Sequence, residues 1–296
     1  MAPTQDRLML RRVGVSEIHK PISVQRPDRI ITLSATFAVA VDLPSNRKGS
    51  DLSRNAELLA ELVDQTITRP VSSLESACSE IARELLVRHP YATEASVQAE
   101  AEYFLRRGIS EDRRSFENYT LLAEAQASRP ETGEVQVIQS IGVEAVGMTA
   151  CPCAMETARS KLLTEYPLLA DPSLRDLPII THNQRNRTRL VFESSDGVAV
   201  EADAMLDAIE NAQSSPTYAI LKRGDEAQVV LDAHRRPKFV EDVVRDLLAS
   251  LPGRFPALTD TVTVRVRTVS EESIHKYNVE AAHRTTMGDL RKRALS

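Results

Sequence analysis

Two of the chain's three cysteines stand one residue apart in Gly147-Met148-Thr149-Ala150-Cys151-Pro152-Cys153-Ala154, at the end of an apolar run. Pro152 removes a backbone donor and biases Cys151 toward extended geometry, so both sulfurs are expected at a bend and not inside a helix. A thiolate there can bind a metal or act as a nucleophile. The next polar concentration is Thr181-His182-Asn183-Gln184-Arg185-Asn186-Arg187, read as lying directly before a strand at 188–192. Amides and guanidinium groups are costly to bury, so this run is expected to face a ligand or partner. Leu221-Lys222-Arg223-Gly224-Asp225-Glu226 offers Glu226 as a possible carboxylate ligand. Arg235-Arg236-Pro237-Lys238-Phe239-Val240-Glu241-Asp242 opens a helix, and Glu241 in its first turn has an ordinary explanation in the helix dipole. His275, in Ser273-Ile274-His275 after a strand, reads on its own as a surface residue.

The elements that must hold these groups can be read from periodicity. Residues 29–43 alternate apolar and polar, as a half-buried strand does, and stop at Pro44. Asp51 or Ser53 can cap a helix running to Gln65, with Leu58, Leu59, Leu62 and Val63 at helical spacing. Ser72 or Ser73 opens a second helix to about Val87, whose stripe of Leu74, Cys78, Ile81 and Leu85 makes Cys78 a small buried hydrophobe. Alternating stretches at 92–105 and 116–127 resemble paired antiparallel strands. The same order recurs: strands near 135–149 and 188–200, helices near 201–211 and 239–251, and a strand at 261–269. Two ββααββ-like units are expected, 1–132 and 133–296, divided near the turn Ser128-Arg129-Pro130-Glu131-Thr132-Gly133. Residues 166–178 read as an insertion loop.

Composition bounds the function. A chain of 296 residues with 42% hydrophobic residues can bury a core, as one large domain or two ordinary ones. A formal net charge of -5 provides no global basic field for nucleic acid, so any phosphate handling must be local. Arginine far outnumbers lysine, which suits bidentate gripping of carboxylate or phosphate. Three cysteines do not make a disulfide framework, and no apolar run reads as a signal peptide or membrane span. A soluble cytoplasmic protein is expected.

GMTACPCAMETA, THNQR, LKRGDE, RPKFVEDVVRD and ESIH, in this order, resemble GTP cyclohydrolase I of the type IB class, including its archaeal relatives. Val13-Gly14-Val15, Val41-Asp42-Leu43-Pro44 and Lys48-Gly49 followed by Ser53-Arg54 extend the resemblance over nearly the whole chain. Asp51-Leu52 precede the Ser-Arg pair, where relatives often carry a histidine, and the spacer at 155–180 is of the longer, archaeal kind.

The resemblance implies an α+β tunnelling fold, two antiparallel units each backed by helices, and a homotetramer with sites at subunit interfaces. It implies GTP as substrate, opened at C8 with formate release to give 7,8-dihydroneopterin triphosphate, the first step of folate and pterin biosynthesis. It makes Cys151, His182 and Glu226 the ligands of a divalent metal, with zinc, manganese and iron all compatible with a mixed sulfur, nitrogen and oxygen set. His275 becomes the proton-transfer group, Cys153 a second thiol for proton transfer or metal tuning, and Cys151 part of the catalytic centre. Glu241 becomes the guanine anchor, and Arg185, Lys222, Arg235, Arg236 and Lys238 triphosphate contacts. Three alternatives remain at this point: an archaeal-type 2′,3′-cyclic phosphate product, another tunnelling-fold enzyme such as a nitrile reductase, and a non-catalytic metal or thiol protein using the two cysteines alone.

Overall fold

The computed structural model describes residues 8–26, 29–131, 133–171, 174 and 177–294. In chain order its elements are β1 (Leu10–Gln25), β2 (Ile30–Leu43), α1 (Leu52–Thr66), α2 (Leu74–Arg88), β3 (Glu94–Arg107) and β4 (Ser115–Ser128). There follow β5 (Gln136–Ala150), α3 (Pro152–Glu165), β6 (Asn183–Ser194), α4 (Ala202–Ala212) and β7 (Ser215–Pro216). The chain then forms α5 (Arg223–Arg235), α6 (Val240–Arg254), β8 (Thr263–Ser270), β9 (Val279–Thr286) and α7 (Met287–Ala294). The fold is α+β. The strands form one sheet in the order β1-β2-β3-β4-β5-β6-β8-β9, with β7 paired to β5. No helix among the described residues is long and apolar enough to cross a membrane.

Contacts divide the chain into two compact units. The first comprises Met1–Tyr103, Thr120–Gly142 and Val191–Ala199, and the second Phe104–Tyr119, Val143–Leu190 and Val200–Ser296.

In the first unit the period-two pattern becomes one buried face. Leu33, Ala35, Phe37, Val39 and Val41 of β2 are buried, as are Ala95, Val97, Ala99 and Ala101 of β3. Leu58, Leu59 and Val63 of α1 and Leu74, Ala77, Cys78, Ile81, Ala82 and Leu85 of α2 are buried as well, with α1 packed on β1 and α2 on β2. Ser73 caps α2 reciprocally: its side chain accepts from the Ser76 backbone at 3.1 Å, and the Ser76 hydroxyl accepts from the Ser73 backbone at 3.1 Å. Asp51 is the N-cap residue of α1 but makes no side-chain cap bond. Its carboxylate pairs instead with Arg54 at 3.3 Å and Arg47 at 3.5 Å. Cys78 is fully buried, and burial pushes its thiol far above the ordinary range, with Glu75 and Glu124 adding to the shift. It is a core residue, as its stripe predicts.

The long strand β1 carries two register irregularities against β2, one flanked by Glu17 at φ 58°. Gly14 lies opposite Ala40, where an added Cβ would fall 1.9 Å from the Val39 carbonyl oxygen. Only glycine permits that approach.

The second unit holds more elements than the repeated order predicts. Helix α3 follows the Cys-Pro-Cys bend directly, and α5 precedes α6. The expected insertion loop begins with Tyr166, the first residue after α3, and a short 3₁₀ turn at Pro167–Ala170, and residues 172, 173, 175 and 176 lie outside the described residues. The core of this unit includes Met205, Leu206 and Ile209 of α4, Val243, Leu247 and Leu251 of α6, and Val264 and Val266 of β8.

Candidate metal and nucleotide site

Cys151 is the N-cap of α3, in extended geometry, and its sulfur accepts from the Ala154 backbone at 3.5 Å. Pro152 occupies the first helical position, where its missing N–H costs nothing. The bend at Cys151 is as expected. Cys153, by contrast, falls inside the first turn of the helix and is exposed. The backbone N–H of Cys151 donates to the carbonyl of His182 at 3.3 Å, which ties the Cys151 backbone to the residue just before β6. Thr149, two residues earlier, places its hydroxyl 3.4 Å from that of Ser270 at the end of β8. The Glu271 backbone N–H in turn donates to the Arg185 carbonyl at 2.8 Å. The ends of β5, β6 and β8 are thus stitched together around these side chains.

From Asn183 onward the polar run does not precede the strand but forms its first half, with Thr181 and His182 just before it. Gln184, Asn186 and Thr188 are buried, while Arg185, Arg187 and Arg189 are exposed, a strict period of two. The amides that were expected to face a ligand satisfy one another inside the protein. Asn186 donates to Gln213 and Thr268, each at 2.7 Å, and Gln213 donates to Thr188 at 2.8 Å. Asn186 Oδ1 is left without a donor among the described residues. Arg187 and Arg189 pair with Glu144 at 3.0 and 2.8 Å. Arg185 makes no ion pair among the described residues and remains exposed.

His182 has one nitrogen engaged. Its Nδ1 lies 3.1 Å from Gln184 Oε1, an atom that can only accept, which places the ring hydrogen on Nδ1 and leaves the Nε2 lone pair for a ligand. Gln184 Nε2 donates to Glu272 at 3.0 Å, and Glu272 Oε2 lies 3.9 Å from His182 Nδ1. A histidine held this way on Nδ1 has the form of one that can bind a ligand through Nε2, and the Cys151 backbone is bonded to its carbonyl. Glu226 is exposed in the first turn of α5 and is not gathered with them: no three His, Cys, Asp or Glu side chains among the described residues are close enough to hold a metal. Of the three expected ligands, a backbone bond joins only Cys151 and His182, whose sulfur and nitrogen are donors of the type a divalent ion takes.

Two further segments converge on the same place. His234, buried in the last turn of α5, sets Nε2 3.2 Å from the Thr181 carbonyl and Nδ1 2.7 Å from the Val230 carbonyl. The backbone of Lys238 donates to the Ala150 carbonyl at 3.1 Å, which brings the start of α6 to the strand end before Cys151. Glu241 is exposed on the first turn of that helix. Residues 2–281 match the family described as type I GTP cyclohydrolase folE2. The chain belongs to that family. It is an enzyme.

The GTP cyclohydrolase MptA of Methanococcoides burtonii is 41% identical over 290 residues, covering 95% of this chain and 92% of the relative. That of Methanosarcina mazei is 41% identical over 293 residues, covering 96% and 92%. Among solved structures, a uricase from Bacillus fastidious aligns over 99% of this chain and 98% of its own, with a TM-score of 0.53 at 12% identity. The uricase from Arthrobacter globiformis gives 0.54 at 6% identity, covering 93% of each chain. At such identities the likeness shows the fold alone, that of the tunnelling proteins.

The remaining family motifs are placed as follows. His275 is exposed in the β8–β9 connection, its ring stacked on Tyr277 with centroids 5.0 Å apart and planes 10° from parallel. Lys222 and Arg235 are exposed, Arg235 pairing with Asp232 at 3.1 Å. Arg236 donates to the Asn211 carbonyl at 2.7 Å. Lys238 is largely buried, donating to the Ala212 carbonyl at 2.8 Å and pairing with Asp246 at 2.6 Å. Sequence reasoning passed over Gln184 and Glu272 as members of longer motifs, and His234 and Arg113 altogether. Arg113 ion-pairs with Asp225, whose other oxygen accepts from the Lys222 backbone at 3.0 Å. That backbone bond first, and then Arg113, hold the Asp225 carboxyl below its ordinary range and fix the first turn of α5.

Proposed function

We propose that the chain is a metal-dependent GTP cyclohydrolase that opens the guanine imidazole ring at C8, releases formate and forms 7,8-dihydroneopterin triphosphate. The observation that carries this reading is the backbone bond joining Cys151 to His182, whose Nδ1 is already engaged, beside the stretch that leads to Glu241. Cys151, His182 and Glu226 would hold a divalent ion, zinc, manganese or iron, which supplies an acidified water for addition at C8. Glu241 accepts from guanine N1–H and the 2-amino group, an assignment its exposure on the first turn of α6 supports. Arg185, Lys222 and Arg235 offer exposed cations to the triphosphate, while Arg236 and Lys238 shape the same rim with charges partly engaged by the fold. His275 delivers a proton to the imidazole nitrogen released on ring opening, its plane set by Tyr277. Cys153 supplies a second thiol for proton transfer.

The chain is further proposed to be cytoplasmic, with tunnelling-fold units over 1–132 and 133–296, and to assemble as a homotetramer whose sites lie between copies. A second reading of the product, the 2′,3′-cyclic phosphate, is favoured by the 38–41% identity to proteins named MptA. Mass spectrometry of the product from GTP separates the two. Formate release should vanish on chelator treatment and return with a divalent ion. Full activity in the stripped protein would refute the metal-dependent reading. His275→Ala should keep GTP affinity and slow turnover by a factor on the order of 10² or more; loss of GTP binding would make His275 a binding residue instead.

A further inference from the structure

We propose that Glu272, acting through Gln184, is a positioning residue: it fixes the ring of His182 and supplies the negative charge that a cation held there requires. The inference rests on His182 as a metal ligand. The Glu272 side chain is 8% exposed. Its Oε1 accepts from Gln184 Nε2 at 3.0 Å, and its Oε2 lies 3.9 Å from His182 Nδ1. No lysine or arginine among the described residues pairs with it. A carboxylate withdrawn from water without a cation is strongly unfavourable, and the neutral Gln184 amide cannot balance it. The missing charge belongs on the far side of the imidazole, at Nε2, where a divalent ion would sit.

Gln184 has no freedom to do otherwise. It is 9% exposed, with its amide oxygen facing the histidine and its amide nitrogen facing the carboxylate, so the hydrogen-bond polarity runs from His182 Nδ1–H to Gln184 and from Gln184 to Glu272. Electron density is pushed toward the imidazole, which makes Nε2 the better ligand. Strand pairing does not need this carboxylate, because the Glu271 backbone already bonds the Arg185 carbonyl and Ser270 already meets Thr149.

The test is Zn(II) affinity of the metal-stripped full-length protein, read by competition with a chromophoric chelator. Glu272→Gln keeps the shape and the bond to Gln184 while removing the charge. It should weaken Zn(II) binding about 10- to 100-fold, with the thermal midpoint of the stripped protein no lower than the wild type's. Combining it with Gln184→Glu moves the charge onto the atom facing Nδ1 and should restore much of the affinity, which a merely structural role would not do. Wild-type Zn(II) affinity in Glu272→Gln, with weak binding in His182→Ala, overturns the proposal and leaves the ligand assignment standing. Wild-type affinity in His182→Ala as well overturns both. Should Glu272→Gln not fold, Gln184→Leu interrupts the same link, and undiminished Zn(II) binding there overturns the proposal.

Discussion

Glu241 shows how far one residue type can be read before its surroundings are known. A carboxylate in the first turn of a helix is ordinary, and its dipole contact contributes about 0.3–1 kcal/mol. Half of a charge-assisted pair with two donors on a base is worth more, roughly 2–5 kcal/mol when lost. Glu241 is exposed and so available to a ligand. GTP binding to the metal-stripped protein, measured by calorimetry, should therefore weaken at least tenfold in Glu241→Gln with the thermal midpoint unchanged, and normal binding would return Glu241 to the helix dipole. His89 makes the opposite case, a titratable group that is wholly structural. It is fully buried, with Nε2 2.6 Å from Asn55 Oδ1 and Nδ1 3.0 Å from the Tyr91 hydroxyl. Burial first, then the Arg54 and Arg47 charges, push its pKa down. The unfolded chain thus takes up a proton before the native one, and stability falls as pH drops through the ordinary histidine value of about 6.5. The thermal midpoint of His89→Gln should fall less steeply over that window than the wild type's. Equal slopes would mean that other groups carry the acid sensitivity.

Elements with an apolar face were legible and those without one were not. The strands of the first unit and helix α2 follow period two and period 3.6, because a large buried surface selects for them. Helix α3 buries no residue, and two of the four buried residues of α5 are Asp225 and His234, so neither leaves a hydrophobic stripe to be read. β6 hid for a related reason: its buried face is Gln184, Asn186 and Thr188, polar groups that pay their own desolvation by bonding to one another, and an apolar count misses them. The Cys-Pro-Cys bend was legible because proline chemistry is local. The outer partners of His182 were not, since Glu272 reaches it only through strand pairing. Two substitutions test the element-level reading. Gly14→Ala should destabilise by about 1–3 kcal/mol in denaturant unfolding, since its Cβ has no room beside the Val39 carbonyl; a neutral result would mean that β1 shifts freely. Arg113→Ala and Asp225→Asn should each lower stability and, combined, do little more than either alone, because they remove one shared ion pair. Additive losses would show that the two side chains act separately.

At the scale of the whole molecule the strand order has two ends. Its order begins with β1, sixteen residues long, and ends with β9, so two rows of backbone N–H and C=O groups have no strand beyond them among the described residues. Such edges invite pairing, and proteins either blunt them or close them. β1 is neither short nor apolar-free: Leu10 is half exposed, and its two register irregularities both begin in its first half. The proposed assembly of copies would answer the physical problem, and it would also place the proposed sites between copies. The two ideas are separable by experiment. Light scattering should give four times the chain mass of 32.8 kDa. On dilution, the fall in mass and the fall in formate released per chain should occur over the same concentration range, since a site built from two copies disappears when they part. A chain that dissociates to the monomer mass with its turnover intact would hold a complete site by itself, and the edges of the sheet would then serve assembly alone.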